Sequence, residues 1–300
     1  MKKKVTEISR YSMNNITEIN SLENWQNASP ERRKDICNSI LNKLPGRFKL
    51  AKPYLLKNNG AEIEIPCFYD ELYETPLILV FGGDFIYGAS SQRIESIRNS
   101  CEPNDWSMIS ELIHQSEGIE NTRINPFLMS RVPVYEWVLE ENINLADDVE
   151  RPDFYSEDGP YPAYVNLEEA TSFLKKTGYR MPWDFEWEYV SKELNNNLFI
   201  CGEEIPARDL SDDICLTQFG DSRLNHAASN MFGVAGLAIA AFTRIGGEKN
   251  EIIVRGGAAG FYPFQHPSQW AMLLTELQLP LKNMPGQLAG LRLCLDIPEI

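Results

Sequence analysis

The chain has few of the residues that most often announce chemistry. Histidine occurs three times in 300 residues, at 114, 226 and 266, and no two of these have the close spacing of a metal-binding motif. Six cysteines, Cys37, Cys67, Cys101, Cys201, Cys215 and Cys294, are scattered with no C-x-x-C pair, which excludes a zinc knuckle built from neighbouring thiolates. They are expected to be reduced core thiols and not a disulfide framework. Bases are outnumbered, 28 against 43 acids, for a formal net charge of −15. Such a surface repels phosphate backbones and anionic lipids, so neither nucleic acid nor membrane is an expected partner. Long apolar runs are missing as well. Val234 to Phe242 is far shorter than a membrane span, and polar Thr6 to Arg10 follows Met1-Lys-Lys-Lys where a signal peptide would turn apolar. A cytoplasmic location is the expectation.

Core material is plentiful, with 43% hydrophobic and 11% aromatic residues, so a folded globular chain is expected. Residues 1 to about 28 form a polar arm. Ser29-Pro30 then opens a helix in which Ile36, Ile40, Leu41 and Leu44 make an apolar stripe, closed by Pro45-Gly46. Glu62 to Pro66 alternates as a strand, and Leu77 to Phe81 is apolar throughout, as a buried strand requires. Gly82-Gly83-Asp84-Phe85-Ile86-Tyr87-Gly88 lacks the Gly-Lys-Ser/Thr ending of a phosphate loop and reads better as two strands joined through a glycine bend. A helix capped by Asn104 is predicted to line up Trp106, Ile109, Leu112 and Ile113, with His114 beside that face and no second ligand near it. The acidic stretch from Asp147 to Tyr161 lacks the oxygen spacing of a calcium loop and reads as a solvated surface loop.

The stretch Gly178 to Val190, GYRMPWDFEWEYV, organises the chain. A helix capped by Asn166 precedes it, with Leu167, Ala170, Phe173 and Leu174 on one face. Pro182 ends one helix and favours the start of another, in which Trp183, Trp187 and Val190 recur at helical spacing. Spacing alone implies no more than two packed core helices.

Arg180, Pro182, Glu186, Trp187, Glu188 and Tyr189 resemble the R-L-P-T-E-A-E-W-E-Y-A segment of the sulfatase-modifying-factor family, the formylglycine-generating-enzyme-like proteins, with Asp184 a conservative replacement. The glycine cluster at 82–88, Pro126 to Val138, Asn230-Met231-Phe232-Gly233-Val234, Arg255-Gly256-Gly257 and Gly290-Leu291-Arg292-Leu293 resemble further family segments in the same order. The resemblance spans residues 75 to 296. It implies an α+β, C-type-lectin-like fold with two main helices, small antiparallel sheets and many loops. Residues 71–300 would form that domain, with 1–70 packed on it as an N-terminal helical extension.

The resemblance breaks where the family does chemistry. Relatives place oxygen ligands of a structural calcium site after the segment at 230–234; here the apolar run Ala235 to Phe242 follows, and alkyl groups cannot hold a hard cation. The two copper-binding cysteines of formylglycine-generating enzymes would fall at Phe261 and His266, and neither is a thiol. The iron-dependent sulfoxide synthases of the superfamily bind metal through histidines in an H-x-x-x-H-x-E pattern that this chain lacks. No cofactor is therefore predicted, His266 being the weak candidate for copper or iron. Formylglycine formation by the two-cysteine mechanism is not expected, and whether the chain is an enzyme stays open.

The catalytic position holds Phe261, Tyr262, Phe264, His266 and Trp270 instead. Flat aromatics with polar edges suit a binding face, and they suit a filled core equally well. The resemblance implies a non-catalytic protein that binds a protein, peptide or small ligand through residues 258 to 275; related scaffolds serve as ligand-binding variable proteins of retroelement systems. The alternatives are a diverged metal-dependent oxidoreductase that includes His266, and a structural subunit. The oligomeric state is not legible.

Overall fold

The computed structural model describes residues 16–58, 61–146, 161–193, 196–200, 202, 229–245, 251–257, 266–281 and 286–298. The N-terminal part opens with α1 (Leu22–Asn27) and α2 (Pro30–Lys43), the latter begun by Ser29, whose hydroxyl accepts the Arg32 N–H at 3.2 Å. Of the predicted stripe Ile36, Ile40 and Leu44 are buried and Leu41 is half-buried against the core. Trp25 anchors the arm: its indole donates to the Glu64 carbonyl at 2.9 Å and its ring lies 5.4 Å from that of Phe81.

Strands β1 (Phe48–Leu50), β2 (Tyr54–Asn58), β3 (Ala61–Ile65), β4 (Cys67–Asp70), β5 (Thr75–Val80) and β6 (Gly83–Tyr87) follow. The expected boundary at residue 70 falls inside the β4–β5 hairpin, which pairs Cys67 with Ile78 and Asp70 with Thr75. Within 48–70, β1 and β4 thus belong to the sheet of the following segment while β2 and β3 pair with each other, and the helices of the expected extension lie within 17–43. Next come α3 (Ser91–Ser100), α4 (Pro103–His114), β7 (Glu120–Ile124), β8 (Phe127–Ser130) and α5 (Glu136–Glu140). Helix α4 starts two residues earlier than a cap at Asn104 would place it, because Pro103 takes the first helical position after Glu102.

β9 (Tyr164–Val165) leads into α6 (Leu167–Thr177), whose start is a reciprocal cap: Asn166 Oδ1 accepts the Glu169 N–H and Glu169 Oε2 accepts the Asn166 N–H. Gly178 closes it at φ +81°. Beyond α7 (Asp184–Lys192) lie β10 (Ala241–Arg244), β11 (Ile252–Arg255), α8 (Pro267–Ala271), β12 (Leu279–Pro280), β13 (Ala289–Gly290) and β14 (Cys294–Asp296).

One five-stranded antiparallel sheet runs β1-β4-β5-β8-β14 and so joins the two ends of the described chain. A second runs β12-β11-β10-β13-β9, antiparallel except for the β10–β13 pair. Two-stranded ribbons β2–β3 and β6–β7 stand beside them. The chain is α+β with small, mainly antiparallel sheets. The turn between α6 and α7 staples the two large ones: Arg180 bridges to Cys294 on β14, and Trp183 bridges to Arg244 on β10. Helix α7 is consequently interior. Trp187 and Val190 are wholly buried beside Phe127, Met129, Phe232 and Val234, and each such side chain removed from water contributes on the order of 2 kcal/mol. Gly83 permits this approach, since a Cβ there would stand 2.6 Å from the Tyr189 hydroxyl. The glycine pair serves close packing. The apolar run Ala235 to Phe242 is buried, as are its neighbours Val234 and Thr243.

Candidate functional site

The two segments that the sequence marks most clearly meet in space. Asp184, Glu188 and Lys192 recur every fourth residue along α7 and share one face. Opposite them Arg255 ends β11 and drives a fully buried guanidinium into the carboxylates. Its Nε and Nη2 donate to the two oxygens of Asp184, each at 2.6 Å, and Nη2 also reaches Glu188 at 3.0 Å. Nη1 donates to the carbonyls of Thr275 and Leu277, both at 3.0 Å. The planar fork of Arg fits this carboxylate geometry.

Asp184 accepts further bonds from the Tyr87 hydroxyl at 2.5 Å, Thr243 at 2.9 Å and Gln278 at 3.1 Å. Lys192 pairs with Glu188 at 2.7 Å and Glu276 at 3.2 Å, and Arg93 forms an ion pair with Glu276. Three cations thus face three anions, and the interior carries no net charge there. Burial alone would raise the Asp184 carboxyl, but Arg255 outweighs it and holds the group below its ordinary range. For Glu188 burial wins over Arg255 and Lys192, and its carboxyl is raised. The Tyr87 hydroxyl is raised by burial and by the Asp184 charge. Sequence reading recognised Asp184 and Glu188 only as motif letters. The every-fourth-residue run of Asp184, Glu188 and Lys192 was the available sign of a charged interior face.

This network fixes one end of the aromatic segment. After Arg255 the chain turns through Gly256 at φ +69°, where a Cβ would meet the Leu237 carbonyl at 2.6 Å, and the Gly257 N–H donates to Ala238 O at 2.9 Å. Phe261, Tyr262 and Phe264 lie outside the described residues. The chain is described again from His266, which is exposed and caps α8; its Nδ1 accepts the Ser268 N–H at 3.2 Å. Trp270 lies inside, 2% exposed, with its ring 6.2 Å from that of Phe199. Of the two readings of the aromatics, Trp270 takes the core one. His266 keeps the surface.

The other chemistry-bearing groups are dispersed. His114 is exposed, 3.4 Å from Glu117 and beside the Trp106 ring. His226, Cys215 and the acidic stretch 147–160 lie outside the described residues. Cys37, Cys67, Cys101 and Cys294 are free thiols. Burial pushes Cys37, Cys67 and Cys101 up to about 11, and Cys294 is raised further in the core. Among the described residues no group of three or more His, Cys, Asp and Glu is placed to hold a metal ion. None of the described helices is long and apolar enough to cross a membrane.

Two clefts open beside these clusters. One, of about 530 Å³, lies between α1, the start of β6 and the end of α7, with Phe85, Tyr189 and Glu193 in its wall. The other, of about 360 Å³, lies between α6 and the end of β10.

No protein-family model matches the chain, and no curated protein matches it. Among solved structures it is similar to Treponema denticola variable protein 1, at 10% sequence identity and a TM-score of 0.45, over 85% of this chain and 100% of that one. At that score the likeness identifies neither a family nor an activity.

Proposed function

We propose that the protein is a non-catalytic relative of the sulfatase-modifying factors on a C-type-lectin-like scaffold, and that it binds a protein, peptide or small ligand through residues 258 to 275. The observation that carries this reading is the anchoring on both sides of the aromatic run. Arg255 is locked into Asp184 and Glu188 just before it, and Trp270 is locked into the core just after it. Fixed ends lower the entropy that a recognition segment loses on binding. His266 stands exposed at the second anchor. Cys294, the thiol nearest the segment in sequence, is buried with its proton held tightly, which suits packing better than redox chemistry.

Two measurements test the proposal. Metal analysis of protein purified without chelator is expected to find copper and iron well below one equivalent; a stoichiometric metal that is lost in His266→Ala supports the oxidoreductase instead. Selection from a phage-displayed random-peptide library is expected to yield peptides that bind the wild-type chain and bind the Phe261→Ala/Tyr262→Ala/Phe264→Ala variant at least about tenfold more weakly, while the thermal midpoint is unchanged. Peptides that bind both chains equally place recognition elsewhere.

A further inference from the structure

The cleft between α6 and β10 carries an inference separate from the 258–275 segment, with which it shares no lining residue. It is walled by Leu174, Tyr179, Met181 and Trp183, and its charged lining residues are Lys175, Arg180 and Arg244. No acid lines it. In a chain with 43 acids and 28 bases, a cleft whose charged side chains are all cationic runs against the surface as a whole.

The three cations are not equivalent. Arg180 is neutralised from behind by a bidentate pair with Glu186 at 2.7 and 2.8 Å, and by Asp296 at 2.6 Å. Lys175 and Arg244 are exposed and make no ion pair with any described residue. Lys175 stands in the last turn of α6, where it also offsets the carbonyl end of the helix, while its neighbour Lys176 is held by the Asn142 carbonyl at 2.6 Å. Arg244 is fixed at its backbone, its N–H donating to Pro182 O at 3.1 Å. Trp183 bridges to it and stacks on Phe185 at 6.3 Å, with the ring planes 5° apart. The result is an apolar floor with a rigid indole edge and two uncompensated cationic heads at the mouth. The volume of about 360 Å³ suits a small organic molecule.

We propose that this cleft binds a small carboxylate with an apolar, aryl-bearing body, its carboxylate held by Arg244 and Lys175 and its ring laid against Trp183. Guanidinium matches carboxylate geometry in two parallel hydrogen bonds, and an indole face takes a ring by offset stacking.

The test is isothermal titration of the full chain with 3-phenylpropionate, with 3-phenylpropan-1-ol and inorganic phosphate as separate probes. Saturable binding of 3-phenylpropionate is expected, weakened about tenfold or more in Lys175→Gln/Arg244→Gln, whose exposed positions leave the fold intact by circular dichroism. The alcohol is expected to bind far more weakly, and Lys49→Gln, which removes an exposed cation that does not line the cleft, is expected to leave 3-phenylpropionate binding unchanged. No saturable binding up to about 10 mM, or equal affinity in the double variant, overturns the assignment. Phosphate binding as tightly as 3-phenylpropionate also overturns it, because charge alone would then account for the site.

Discussion

Arg255 and Arg292 are both completely buried, and the fold treats them in opposite ways. Arg255 meets two carboxylates. Burial alone would lower its guanidinium, but the Asp184 charge outweighs that and raises it above its ordinary value. Arg292 meets no carboxylate among the described residues. It donates to backbone carbonyls, those of Ser130 at 3.0 Å, Ala235 at 2.7 Å and Gly236 at 3.2 Å, and its Nε has no hydrogen-bond partner there. Burial without a counter-ion pulls it down to about 10. One arginine closes a charge network; the other gathers the loop at 235–236 and the end of β8 around a cation solvated by peptide dipoles. The difference lies in what each leaves behind when removed.

Arg255→Met should do the greater damage. It strands the carboxylate of Asp184 in the interior and leaves Glu188 with Lys192 alone, a loss of about 3–5 kcal/mol for a broken buried pair. The urea midpoint should collapse or the chain should fail to accumulate. Adding Asp184→Asn to that variant should restore part of the loss, because Lys192 and Arg93 then face Glu188 and Glu276 and the charges balance again. Arg292→Met is expected to cost less, about 1–3 kcal/mol, since it orphans carbonyls but also removes an uncompensated charge from the core. Equal midpoints for the two single variants would erase the contrast.

Much of the scaffold was legible. The buried strand read at 77–81, which the structure has at Thr75–Val80, the stripe of α2 and the N-cap at Asn166 follow from local rules. Period and capping are properties of neighbouring residues, so a single sequence carries them. The partition at residue 70 was not legible, because β1 and β4 are too short to announce that they pair with each other and that β4 pairs with β5. The charge network was only half legible. The spacing of Asp184, Glu188 and Lys192 lay in view, but their partners Arg255, Glu276 and Arg93 arrive from distant segments that only the folded sheets bring together. Trp270 shows the converse limit. Composition marks an aromatic as either contact or core, and burial decides.

Glu193 is the anionic counterpart of Arg292, and it gives the smallest effect. It is half-buried at the C-terminal end of α7, accepts the Met231 N–H at 2.8 Å and the Asn197 amide at 3.1 Å, and pairs with no cation among the described residues. Burial outweighs those two bonds and raises its carboxyl above the ordinary 4.5. The sign follows directly. As pH climbs past the unfolded value, the unfolded chain releases this proton while the folded chain retains it, so this residue lowers stability until the folded value is passed. Glu193→Gln keeps an acceptor for Met231 and has no proton to release. Its urea midpoint relative to wild type should therefore rise as pH climbs past the ordinary carboxyl value of 4.5 and level off above the folded value. A difference that stays constant across that range would mean that the two neutral donors satisfy the carboxylate fully, and that a lone buried charge needs no opposite partner at this end of α7.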